Sequence, residues 1–128
     1  MGATEPEQVI DQFCRLFNSG DLDALVNTLY EDDAVFIPSP ADAAVSGKAG
    51  VAESLKGFLA LGGTLSVLAT TAVRNGEIAL THTHWRLDIP GADAMEGLTA
   101  EIVRRQPDGN WKYIIDNPWG GAVLEPAG

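Results

Sequence analysis

A chain of 128 residues that is 45% apolar fits one domain, residues 1–128, burying roughly two-thirds of the surface its unfolded form exposes. Eighteen acidic against eight basic side chains give a net charge of −10, which repels phosphate backbones and anionic lipid, so neither nucleic acid nor membrane is an expected partner. One cysteine, Cys14, allows no internal disulfide, and neither a secretory leader nor a bilayer-length apolar run is evident, so a soluble cytoplasmic protein is expected.

Val9, Phe13, Leu16 and Phe17 recur at helical spacing, predicting a first helix over Glu5–Asn18 with Thr4 as N-cap, Pro6 in its first turn and Glu7 completing a capping box. Gly20 ends it. Asp21 caps a second helix whose stripe is Leu22, Leu25, Val26 and Leu29, reaching Tyr30. The β-favouring run Ala34–Ile37 is stopped by Pro38 and Pro40, and residues 41–46 read as a loop. Val51, Leu55, Phe58 and Leu59 mark a third helix, terminated by Gly62 and Gly63.

Beyond Gly63 the chain turns to strands: Thr64–Arg74 and Glu77–Ile89 around the hairpin signal Asn75-Gly76, then Met95–Arg105 and Trp111–Asn117 around Pro107–Asn110. Helices first and antiparallel strands after them describe an α+β domain, three helices covering one face of a curved sheet. Residues 1–3 and 121–128 are expected to be loose.

Five stretches together resemble the nuclear transport factor 2-like superfamily, in particular its small SnoaL-like and ketosteroid-isomerase-like members. They are Phe17–Leu25, Tyr30–Phe36, Gly47 before the third helix, Ala79–Leu87, and Asp108-Gly109 with Trp111–Asn117. The resemblance implies a cone-shaped, cystatin-like fold with an apolar cavity between helices and sheet, and a homodimer formed through the sheet's outer face. It does not imply one activity, because isomerases, cyclases, epoxide hydrolases, dehydratases and non-catalytic proteins share the scaffold.

Period two along the strand after Asn75-Gly76 puts His82, His84, Arg86 and Asp88 on one face and Thr81, Thr83, Trp85 and Leu87 on the other. Facing a cavity, the first set offers base, clamp and acid; facing solvent, it is an ordinary wet face. Two histidines at i and i+2 without a third ligand make no metal site. Arg86-Leu87-Asp88 is similar to the Arg-x-Asp step of limonene-epoxide-hydrolase relatives, with Asp116 as a second carboxylate, although Asp88 lies almost at its strand end beside Pro90.

Asp116 and Asn117 close the last strand, where several of these families place a polar group in the cavity mouth; before Pro118 they also read as plain turn formers. Alternation forbids both from pointing inward unless a bulge intervenes. Phe17, Tyr30, Phe36, Trp85 and Trp111 supply aromatic bulk to line the cone or to fill it. Cys14, with no histidine near it in sequence, reads as an inert thiol.

The sequence thus points to a small, largely apolar or amphipathic ligand and acid-base chemistry without cofactor or metal: isomerisation, cyclisation, hydration, dehydration or epoxide opening. Asp116 or His84 would move the proton, and Arg86 or Asn117 would steady an oxygen. The alternative is a non-catalytic ligand-binding or dimerisation module of the same fold.

Overall fold

The computed structural model describes residues 2–121. Its first helix, α1 (Gln8–Ser19), begins three residues later than the periodicity predicts. The reason is local: Gln8 folds back so that its Oε1 accepts from the Thr4 amide (3.1 Å), the Thr4 hydroxyl (3.0 Å) and the Glu5 amide (3.2 Å). Residues 4–7 become a turn that Gln8, not a capping box, satisfies.

At the other end Gly20 adopts φ 78°, and the amides of Gly20 and Asp21 return to the carbonyls of Phe17 and Leu16, a paired closure that requires a left-handed residue. Asp21 then caps α2 (Leu22–Leu29) by accepting from the Ala24 amide at 3.1 Å. Asn18 ties this corner to the sheet through both amide atoms, donating to Leu65 O and accepting from Leu65 N.

Next come β1 (Tyr30–Phe36), the short β2 (Val45–Ser46) inside the expected loop, and α3 (Lys48–Leu59). The rest is strand: β3 (Thr64–Asn75), β4 (Ile78–Asp88), β5 (Met95–Leu98), β6 (Ala100–Arg105) and β7 (Trp111–Asn117). The sheet runs β2-β1-β7-β6-β4-β3, with β5 also on β4. It is curved and mixed rather than wholly antiparallel, because the chain leaves the helices along β1, which lies parallel to β7. The helices pack on its concave face, burying Val9, Phe13, Leu25, Leu29, Val51 and Leu55 among the core. Ala3, expected to be loose, is fully buried and bridges to Trp111. Among the described residues no helix is long and apolar enough to cross a membrane.

Two interruptions of the ladder decide which side chains reach the concave face. The expected strand over residues 95–105 breaks at Thr99, yet β5 and β6 keep one register against β4. At the break Thr99 N donates to Thr83 O, while Thr83 N donates to the Thr99 hydroxyl at 2.8 Å in place of a backbone carbonyl. The second interruption lies between β6 and β7, where Ile102 pairs with Ile115 and Val103 with Tyr113, leaving Ile114 as an extra residue. This bulge resets the alternation, so Trp111, Tyr113 and Asp116 are all buried on the inner side.

Candidate functional site

Between α1, α3 and the concave face of the sheet lies a cavity offering about 60 Å³ to the centre of a water-sized sphere. That volume suits a body of roughly four or five water-sized groups. Six aromatic rings contribute to its wall, from Phe13, Phe17, Phe36, Phe58, Trp85 and Tyr113. Thr99, Glu101 and Asp116 are also among its lining residues, and among the described residues no basic side chain lines it. Trp119, just past β7, packs edge-on against Trp85 with ring centroids 5.4 Å apart and donates to Pro38 O, while Trp85 donates to Pro118 O. Residues 118–119 thereby strap one side of the cavity.

Glu101 on β6 and Asp116 on β7 are paired across the ladder and almost wholly buried. Glu101 Oε1 accepts from the hydroxyls of Thr99 (2.8 Å) and Thr81 (3.1 Å). Asp116 Oδ2 accepts a short hydrogen bond from the Tyr30 hydroxyl. Burial pushes Asp116 up to about 6, against the hydrogen bonds from Tyr30 and Glu101, which favour its charge. Burial, and then the Asp116 charge, hold Glu101 well above the usual carboxylate range in spite of its two threonine donors. Two carboxyls this close in a low-dielectric pocket do not both ionise near neutrality; they share one proton, and their titration belongs to the pair. Tyr30 and Tyr113 are raised well above 10, chiefly by burial, and remain neutral donors.

The structure separates the residues that the sequence grouped. Asp116, Phe17, Phe36 and Trp85 line the cavity. Tyr30 stands behind Asp116 as its donor rather than in the wall. Trp111 is fully buried outside the cavity, its ring covered by Arg74 at 5.0 Å, and its Nε1 finds no partner among the described residues. Asn117, one residue past the reset alternation, turns away and accepts from the Trp119 amide.

His84 and Arg86 correct the sequence reading most sharply. Along β4 it is Ala79, Thr81, Thr83, Trp85 and Leu87 that are buried, so His84 and Arg86 lie on the outer face, away from the cavity. There His84 Nε2 meets Glu96 at 2.7 Å, and Arg86 bonds Asp88 and Glu96. The Arg-x-Asp step is therefore a surface ion pair, separated from Asp116 by the thickness of the sheet. Substituting both His84 and Arg86 with alanine is expected to leave turnover unchanged within about twofold by an assay calibrated on wild type, because exposed pairs contribute little. A loss as large as that of an Asp116 variant would return them to the site.

Glu101 and Thr99 escaped the sequence reading, although a signal was present. Thr99, Glu101 and Val103 share one phase, and Val103 is an inward residue, so two polar groups stood in a frame that should have been apolar. Cys14 is inert: burial first, then the Asp11 and Glu101 charges, push its thiol up to about 12.

Solved structures share this architecture at low identity. An NTF2-like protein with a cystatin-like fold from Novosphingobium aromaticivorans aligns with TM-score 0.72 and 19% identity over 94% of this chain and 86% of that one. A candidate ketosteroid isomerase from Parabacteroides distasonis gives 0.68 and 17% over 88% and 86%. The epoxide hydrolase/cyclase-like enzyme SalBIII, described for pyran ring formation in the polyether salinomycin, gives 0.65 and 16% over 88% and 87%. At these identities the likeness establishes the fold alone. No curated protein sequence matches the chain significantly. The family model described as a SnoaL-like domain matches residues 10–114, most of α1 through most of β7, and on that match the chain belongs to the SnoaL-like domain family.

Proposed function

We propose that the protein binds a small, largely apolar molecule in this cavity and moves a proton on it with the Glu101–Asp116 pair, without a cofactor. The observation that carries this reading is the pair itself: two buried carboxyls among the lining residues of a largely apolar pocket, with one proton to give and one lone pair to receive it. Replacing these buried carboxyls by apolar residues would stabilise such a core, so their presence there is costly unless it serves chemistry. Asp116 acts as base because Tyr30 stabilises its charge; Glu101, kept protonated, acts as acid. Isomerisation, dehydration and epoxide opening or cyclisation all need this acid and base together. The candidate isomerase and cyclase-like neighbours are consistent with that class.

The test is a panel of small ketones, enones and epoxides in deuterated buffer, followed by NMR for deuterium incorporation, double-bond migration or ring opening. Turnover of any member that Asp116→Asn abolishes supports the reading. Binding without turnover across the panel would make the protein a carrier.

The outer sheet face exposes Leu80, Leu98 and Ile115 at about two-fifths of their surface, with Val73 further along β3 at 68%. Apolar groups spread across neighbouring strands favour a second copy of the chain as occupant, giving a homodimer through the sheet. Leu80→Asp is expected to convert a dimer to a monomer in light scattering; a wild-type monomer at high concentration would dismiss it.

A further inference from the structure

The hydrogen bonds around the carboxyl pair restrict what it recognises. Thr99 accepts from the Thr83 amide, so its own proton is free to point at Glu101 Oε1, and Thr81 donates to that same oxygen. Glu101 Oε1 is thus an acceptor twice over, which leaves its proton on Oε2. Tyr30 occupies Asp116 Oδ2 in the same way. What remains is the hydrogen bond between the two carboxyls, in which the Glu101 proton is given to Asp116: one donor and one acceptor, committed only to each other.

We infer that the cavity selects neutral ligands whose polar head both accepts and donates a hydrogen bond, an aliphatic hydroxyl above all, on a compact apolar body. This rests on the proposed acid-base pair and deepens it by naming the head group. Insertion of a hydroxyl between the carboxyls replaces their mutual contact with two bonds, accepting from Glu101 and donating to Asp116. A ketone satisfies only the Glu101 donor and strands the Asp116 lone pair, so it forfeits one of the two bonds. A carboxylate ligand meets a second negative charge with no basic side chain among the described lining residues, and an ammonium has no lone pair to accept the Glu101 proton. The groups facing the pair from the packed elements are Tyr30 on β1, Tyr113 on β7 and Cys14 on α1; all are neutral at pH 7, so none reverses this polarity.

Four probes separate the head groups: isobutanol, butanone and isobutylamine, which are equal in heavy-atom count, and the slightly larger isobutyrate. Binding to the full chain at pH 7 is read from methyl shifts of Leu55, Leu65 and Leu87 on titration. Isobutanol is expected to bind about tenfold more tightly than butanone, the ratio that one stranded hydrogen bond produces. Glu101→Gln keeps a donor facing Asp116 and retains the preference. Asp116→Asn, its oxygen taken by Tyr30, presents a second donor and inverts the preference toward butanone. Equal affinity for isobutanol and butanone in wild type, or isobutylamine binding most tightly, would overturn the inference. Alcohol preference without turnover of any substrate would leave the head-group inference standing while removing the catalytic reading, and turnover without the preference would do the reverse.

Discussion

Asp116→Asn is expected to lower turnover by about 10²–10⁴-fold, the range general acid-base catalysis supplies, while the protein stays folded and becomes more heat-stable than wild type at pH 8. The two effects share one cause. Asparagine fills the same space and accepts from Tyr30, but it has no basic lone pair poised to take a proton, so the chemical step loses its base. It also carries no charge to bury. A carboxyl with no part in the chemistry would behave differently: its amide would be silent in turnover. Glu101→Gln makes the companion case, since glutamine keeps the threonine bonds to Oε1 but holds no acidic proton. Parallel measurement of turnover and of melting temperature at pH 8 checks the pair, and retained activity in either variant would remove that residue from the mechanism.

Wild-type stability is expected to fall as pH rises from 4 to 8. The folded Asp116 titrates near 6, above its ordinary value of 3.8, so between those values the native state holds a proton that the unfolded chain has released. Native protonation is thus favoured as pH falls, and the stability it contributes below pH 4 is lost as pH rises through 6. The loss is about 3 kcal/mol for a shift of that size. Glu101, also raised by burial and by the Asp116 charge, acts in the same direction. Glu31 opposes it only at the acid end, where its Arg104 hydrogen bond holds it below its usual range and its contribution disappears as pH falls through that lowered value. For a domain of this length the melting temperature should drop by roughly 10 °C between pH 4 and pH 8. Asp116→Asn should flatten the part between pH 4 and 6. A flat wild-type profile would mean that the carboxyls titrate as if solvated.

Much of the fold was legible because it obeys short-range rules. Gly20, Asp21 and the apolar stripes of α1, α2 and α3 specify the helices, and Asn75-Gly76 marks the hairpin between β3 and β4, with Gly76 at φ 62°. The parallel pairing of β1 with β7 was not legible, since it joins segments far apart in sequence and no local pattern encodes it. The site divides along the same line. Asp116 was singled out by its place at a strand end, but its inward direction depends on the Ile114 bulge, which apolar residues on both sides of β7 disguise. His84 and Arg86 drew attention by residue type, and only the burial of Thr81, Thr83 and Trp85 on the opposite side of β4 shows that they face outward. Glu101 became visible once β6 was paired, because its significance lies in Asp116 across the ladder rather than in its neighbours along the chain.

The most direct measurement is a carboxyl-detected ¹³C NMR titration of Glu101 and Asp116 in the wild-type protein from pH 4 to pH 9, assigned through Glu101→Gln and Asp116→Asn. If the pair is the proton-transfer centre, Asp116 ionises near pH 6, Glu101 ionises above the usual carboxylate range, and each variant shifts the titration of the residue that remains. Two independent titrations near pH 4, each unmoved by substitution of the other carboxyl, would contradict a shared proton and with it the acid-base role of the cavity.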